Sequence, residues 1–261
     1  MQDHTRYLFI DGGYARTAYQ HAMHTVFDDF GEIDVAIIAQ QARAFRTYYY
    51  DCLDETQGNT ESDVQFQQRV ETQRTYFERI RSMVGVHLQL GTLTGTRPKR
   101  QKEVDVLLAV DMLTHGFNRN MTHAALLTGD LDFRPVVEAL VRSGVYVEVW
   151  FEKTTAAKEL YWAADLGQQL DFGALYNWSD QRFRSTHGLP TFDTAHPPVT
   201  GELLHSGTCG GRPVQILREP NSHIFVLRAE NPDGVVWSEH TDQTVLERYF
   251  SLVYGPVEWQ A

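Results

Sequence analysis

Apolar positions along this chain follow two alternating rhythms: short continuous runs bounded by turn residues, and longer stretches spaced as on one face of a helix. The run Tyr7-Leu8-Phe9-Ile10 has the composition of a buried strand and ends at Asp11-Gly12-Gly13, which reads as a turn. A helix is expected from about Ala15 to Phe27. The segment from Ile33 to Ala44 suits a strand by composition and a helix by length and spacing. The helix is favoured, with Arg46 to Tyr50 as the next strand. After the polar stretch DETQGNTESD, Phe66, Val70, Phe77, Ile80 and Val84 recur at helical spacing. Val86 to Leu90 then alternates as a strand does. A helix KEVDVLLAVDMLTHG stopped by Gly116, a strand over 123–129, a helix from Phe133 to Ser143, a strand over 145–151 and a helical AAKELYWAADLG complete the region. Strands separated by helices in this way predict an α/β fold, a mostly parallel sheet flanked by helices.

Beyond about residue 180 the rhythm changes. RSTHGLPTFDTAHPPVTG has no period, and RPVQILRE, SHIFVLRAE and DGVVWSEH follow as short β-rich runs, with a turn at Asn231-Pro232-Asp233-Gly234. A last amphipathic stretch, TVLERYFSLVYG, reads as a helix. The expected organisation is a main domain over 1–178, a linker over 179–198 and a small β-meander-plus-helix module over 199–261, which is expected to dock on the main domain, bind a protein partner or form a homo-oligomer.

Composition narrows the function classes. At 261 residues and 42% hydrophobic the chain has material for a packed core, so global disorder is excluded. No run approaches the ~18 apolar residues of a membrane span, and MQDHTRYLF has neither the basic nor the apolar region of a leader. Cys52 and Cys209 lie far apart without metal-type spacing, so a reduced, cytoplasmic protein is expected. The net charge of −11 argues against a surface built throughout for nucleic acid. Within that acidity one stretch is locally basic: Arg97, Lys99, Arg100 and Lys102, directly before the helix KEVDVLLAVDMLTHG. It reads either as a solvated loop or as a grip for a polyanion.

The candidate chemistry lies in carboxylates at strand ends. In an open parallel sheet ligands bind beyond the carboxyl ends of the strands. Asp11 follows one strand directly and Asp130 follows another after Thr128-Gly129, so both are expected to face one crevice, with Asp132 and Asp105 close by. Carboxylate oxygens are what Mg²⁺ and Mn²⁺ prefer, and such a cluster suits metal-assisted phosphodiester hydrolysis. Each residue also has a plain reading. Asp-Gly-Gly is a good turn, and Asp130 or Asp132 can cap a helix. Asp111 sits six residues after Asp105, about 240° around a helix at 100° per residue, so both cannot point into one pocket. Asp111 is therefore a rim residue or a helix carboxylate paired with a nearby base. The Tyr48-Tyr49-Tyr50 run reads as core, one ring being able to stack a base. No zinc spacing, Walker loop, G-x-G-x-x-G or G-x-S-x-G is present. A dehalogenase-type phosphatase would want Asp where Gly13 stands.

Taken together, Phe9-Ile10-Asp11-Gly12-Gly13, the run Arg46 to Asp51, the run Lys102 to Met112, Leu127-Thr128-Gly129-Asp130-Leu131-Asp132-Phe133-Arg134-Pro135 and the run Gly144 to Val149 resemble a NYN domain of the LabA-like type, in the PIN-like nuclease superfamily. The resemblance covers about residues 5–172, including Ala163-Ala164-Asp165. It implies a Rossmann-like sheet, Mg²⁺ or Mn²⁺ as cofactor, RNA or DNA as partner, and a metal site of Asp11, Asp105, Asp130 and Asp132 with Asp111 as a lesser member. It also gives Lys102 a role at phosphate or in orienting the acidic helix. Many members carry Asn where this chain has Tyr14, which leaves that substrate-facing role open. The expected function is thus a metal-dependent endoribonuclease, with Arg97, Lys99, Arg100 and Lys102 guiding the strand. Two alternatives stand beside it: a non-catalytic RNA- or protein-binding module on the same scaffold, and a small-molecule phosphohydrolase using the same metals.

Overall fold

The computed structural model describes residues 5–91, 102–194 and 201–260. The chain folds as two units, one of Met1–His21 with Glu32–Ser179 and the other of Ala22–Gly31 with Asp180–Ala261.

The first unit holds a six-stranded sheet. Strands β1 (Arg6–Asp11), β2 (Arg46–Cys52), β3 (Val86–Gly91), β4 (His123–Leu127), β5 (Tyr146–Glu152) and β6 (Leu166–Leu170) lie in the order β3-β2-β1-β4-β5-β6, every pair parallel. This is the doubly wound order whose direction of progression reverses between β1 and β4, and the crevice there opens beyond the strands' carboxyl ends. Leu8, Phe9 and Ile10 are all fully buried, as a strand covered on both faces requires. One face packs Tyr7, Phe9, Tyr48 and Tyr50 with Val104, Leu108 and Met112 of α4 (Lys102–Phe117) and with Val136, Val137 and Leu140 of α5 (Arg134–Arg142). On the other, Tyr49 meets Tyr76 of α3 (Asp63–Ser82) edge-on.

Local chemistry explains the element boundaries. Helix α3 begins with a capping box, Ser62 and Gln65 each bonding the other's backbone, and ends at Ser82. Val84, expected on its buried face, therefore lies past it and is fully exposed. The segment 33–44 contains α2 (Val35–Gln41), capped by Asp34, and it buries Val35 and Ile38 rather than Ile37. Helix α1 (Gly12–Phe27) starts at once after β1, so Gly12-Gly13 open a helix instead of forming a free turn. The expected helix over AAKELYWAADLG stops at Trp162 as α6 (Lys158–Trp162), and Leu166 and Gly167 open β6. Between them Asp165 Oδ2 accepts from the Val147 amide at 2.8 Å, satisfying a β5 donor before β6 takes over the ladder. Helix α7 (Phe172–Asn177) closes the unit.

In the second unit, residues 181–194, expected as linker, form α8 (Gln181–Thr186) and the short β7 (Phe192–Asp193). An antiparallel sheet follows in the order β12-β8-β9-β10-β11-β7. Its further strands are β8 (Glu202–Cys209), β9 (Arg212–Arg218), β10 (Phe225–Asn231), β11 (Gly234–His240) and β12 (Glu258–Trp259). The three expected β runs are β9, β10 and β11. Helix α9 (Gln243–Tyr254), capped by Asp242, sets Leu246 and Phe250 against Val214, Ile216, Leu227 and Ala229. Residues 22–31 contribute Phe27, whose ring meets Phe183 and His187 edge-on, and Asp28, which pairs with Arg248 at 2.6 Å.

Candidate metal-dependent hydrolytic site

Three strand ends build the crevice of the first unit. Asp11 is the last residue of β1, and its Oδ1 accepts from the Tyr14 amide at 3.0 Å, fixing the carboxylate to the first turn of α1. Its Oδ2 accepts from Thr128 Oγ1 at 2.9 Å, just beyond β4. The same hydroxyl oxygen accepts from the Asp130 amide at 3.3 Å. Thr128 is fully buried and so fixes the two acidic strand ends to each other. Asp130 caps a single 3-10 turn over Leu131–Phe133, its Oδ1 accepting from the Asp132 amide at 2.9 Å. The capping reading of Asp130 therefore holds, with one oxygen used.

Asp105 approaches from α4. Burial, followed by the charges of Asp11, Asp130 and Asp132, raises its carboxyl from 3.8 to about 6. Asp11 is also raised, first by burial, then opposed by its bonds from Tyr14 and Thr128 and reinforced by Asp130. The four acids Asp11, Asp105, Asp130 and Asp132 thus occupy one electrostatic neighbourhood. Asp111 does not belong to it. Its Oδ2 accepts from Tyr50 Oη at 2.8 Å, and burial with this carboxylate drives the Tyr50 phenol upward. Asp111 is thus bonded to a phenol rather than to the nearby base expected.

The donor set is chemically suited to a hard divalent cation, being carboxylate oxygen throughout. Among the described residues no three His, Cys, Asp or Glu side chains share one ligand point. An ion here would take one or two carboxylates, with water and phosphate as its other ligands, the usual pattern for Mg²⁺. Arg97, Lys99 and Arg100 lie outside the described residues. Lys102 is the first residue of α4, and its side chain is also outside them.

Tyr14 commits its hydroxyl to the end of β5 and the chain beyond it. Its hydroxyl accepts from the Glu152 amide at 2.8 Å and shares a hydrogen bond with Thr155 Oγ1 at 3.0 Å. The ring lies on Gly129, where a Cβ would stand 2.5 Å from it. Tyr14 thereby ties α1 to the end of β5 across the reversal point.

Two features escaped the sequence reading. Thr128 was visible only as the residue before a Gly-Asp turn. Asp51, near the carboxyl end of β2, has a side chain with no solvent exposure, and it pairs with Arg16 of α1. The rule that singled out Asp11 and Asp130, an acid closing a strand, would have found Asp51 had β2 been extended past Tyr50.

Residues 7–169 match the NYN domain, and the chain belongs to that family, whose members are generally nucleic-acid-binding, nuclease-like proteins that typically use divalent metal ions. A crystal structure of a Vibrio parahaemolyticus protein of unknown function is similar at 17% identity and a TM-score of 0.47, over 66% of this chain and 96% of that one. No curated protein matches. Among the described residues, no helix is long and apolar enough to cross a membrane.

Proposed function

We propose that the chain is a divalent-metal-dependent nuclease, an endoribonuclease that hydrolyses phosphodiester bonds where Asp11, Asp105, Asp130 and Asp132 gather. The observation that carries this reading is that Thr128 joins the acidic ends of β1 and β4, Asp11 and Asp130, at the reversal point, where Asp105 is raised first by burial and then by the charges of Asp11, Asp130 and Asp132. An arrangement kept at that cost is one that a cation relieves. A bound Mg²⁺ or Mn²⁺ would activate the attacking water and offset charge on the leaving oxygen. The chain's own residues do the rest. Thr128 holds Asp11 and the Asp130 backbone in fixed relation. Asp105 offers its carboxylate from α4 and, when protonated, withdraws one negative charge from the cluster. The bases Arg97, Lys99 and Arg100 precede this helix, Lys102 opens it, and all four would meet the phosphates of the incoming strand.

The test is cleavage of single-stranded RNA, structured RNA and DNA in Mg²⁺ and in Mn²⁺. RNA cleavage that chelation stops and that Asp130→Asn lowers at least about a hundredfold is expected, since electrostatic groups at such centres contribute on that order. Equal turnover by Asp130→Asn would sink the site. A second reading is an RNA- or protein-binding module on the same scaffold, with little turnover. Tight RNA binding with no cleavage in Mn²⁺ would select it. Activity on nucleotide monophosphates but not on polymers would select a phosphohydrolase.

A further inference from the structure

Asp51 is a fully buried carboxylate that the chemistry above leaves unused. Its Oδ1 accepts from the Cys52 amide at 2.7 Å, and its Oδ2 accepts from Tyr49 Oη at 3.3 Å and from Arg16 Nη1. The chain makes room for it: a Cβ at Gly12 would stand 2.6 Å from Asp51 Oδ2 and 2.7 Å from the Tyr49 ring. Arg16 differs from its partner in one respect, because 31% of its side chain is exposed. It lies one helical turn beyond Gly12, and its partner Asp51 follows Tyr50, the residue that stands opposite Asp11 in the pairing of β1 with β2. A guanidinium has five N–H donors in a planar fork, more than its bonds to Asp51 and to the Tyr49 phenol use.

We propose that Arg16 binds a phosphate of the substrate strand beside Asp11, and that Asp51 is the positioning residue that holds its guanidinium there. This rests on the phosphodiester reading of the site. A polyanion entering a cluster of four acids needs fixed cations as well as metal, and Arg suits phosphate because its fork can bond two oxygens at once. The buried carboxylate supplies the rigidity, since a free arginine side chain would lose rotamer entropy on binding.

The alternative role for Arg16 is only to neutralise Asp51, and a paired substitution separates the two. Arg16→Gln combined with Asp51→Asn removes both charges, so no buried charge is left unpaired. Binding of a fluorescein-labelled single-stranded RNA is measured by anisotropy, with Ca²⁺ in place of Mg²⁺, across a salt series. The double variant is expected to melt close to wild type and to raise Kd about tenfold, with the salt slope reduced by about 0.7, the contribution of one single-strand phosphate contact. Arg16→Lys keeps the ion pair but loses the fork, and is expected to weaken binding severalfold without a change in melting. Wild-type Kd and salt slope in the double variant would overturn the proposal. Should that variant fail to fold, wild-type affinity in Arg16→Lys would overturn it. RNA binding without cleavage by the wild type would refute the nuclease reading and leave Arg16 to be judged on these Kd ratios. Absence of RNA binding by the wild type would refute both.

Discussion

Replacing Asp105 by Asn should make the protein more stable at pH 8 while removing part of its chemistry. The ordinary carboxyl value is 3.8 and the folded value about 6, so the folded chain holds this proton more tightly than the unfolded one. The sign follows from linkage: stability contributed by the protonated acid is present below pH 4, is lost as pH rises towards about 6, and is absent above about 7. At about 1.4 kcal/mol per unit, a shift of about two units gives a ceiling near 3 kcal/mol. Asp105 is only partly buried, and water and salt screen its neighbours, so about 1–2 kcal/mol is the expected gain. For a unit of this size that is roughly 3–6 °C in Tm. Thermal melts of wild type and Asp105→Asn at pH 5 and pH 8, each with EDTA or with Mn²⁺, would read it. The variant should gain most at pH 8, gain about half as much at pH 5, and be stabilised less by Mn²⁺ than the wild type. If Asp105→Asn is no more stable than wild type at pH 8, or if Mn²⁺ stabilises both equally, the four acids do not form a repelling cluster that a cation relieves.

Two further substitutions probe the walls of the crevice. Gly12→Ala would drive a methyl into Asp51 Oδ2 and the Tyr49 ring, both held in the core. A loss of about 1–3 kcal/mol in denaturant titration is expected, and an unchanged midpoint would show that the two side chains yield freely. Tyr14→Phe removes the acceptor of the Glu152 amide and the partner of Thr155, with a cost of about 1 kcal/mol and faster hydrogen exchange at Glu152. Unaltered exchange there would mean that Tyr14 does not tie α1 to the end of β5.

The parts of the fold that could be read in the sequence are those where one pattern dominates. Leu8-Phe9-Ile10 and Ala124 to Leu127 are apolar on both faces, so they declare buried parallel strands. By contrast, four of the five residues of LGQQL in β6 are exposed and carry no alternation, and β6 becomes a strand only by pairing with β5. Strand β8 is hidden in the same way, its alternation broken by an irregularity between Leu203 and His205. The candidate acids Asp11 and Asp130 could be picked out because each stands at the end of an apolar run, although a turn or a cap also accounts for an acid there, as Asp130 shows. The helical angle shows only that Asp105 and Asp111 cannot share one pocket, and the bond from Tyr50 is what sets Asp111 apart. Asp51 and Arg16 could not be linked, because their meeting depends on β1 and β2 being neighbours and on the space left at Gly12.

The make-up of the second unit bears on the order in which the protein can be completed during synthesis. Phe27 and Asp28 emerge from the ribosome early, yet their partners Phe183, His187 and Arg248 belong to residues translated long afterwards. Contacts so distant in sequence form slowly, since the loop between them must close first. The sheet around Asp11 and Asp130 can assemble while residues 22–31 still wait for their unit, leaving Phe27 for a time without cover. A fragment cut near residue 179 would make that wait permanent, and one starting near residue 180 would lack the ring that Phe183 and His187 pack against. Residues 22–31 thus make the N-terminal and C-terminal parts of this protein poor candidates for separation by simple truncation.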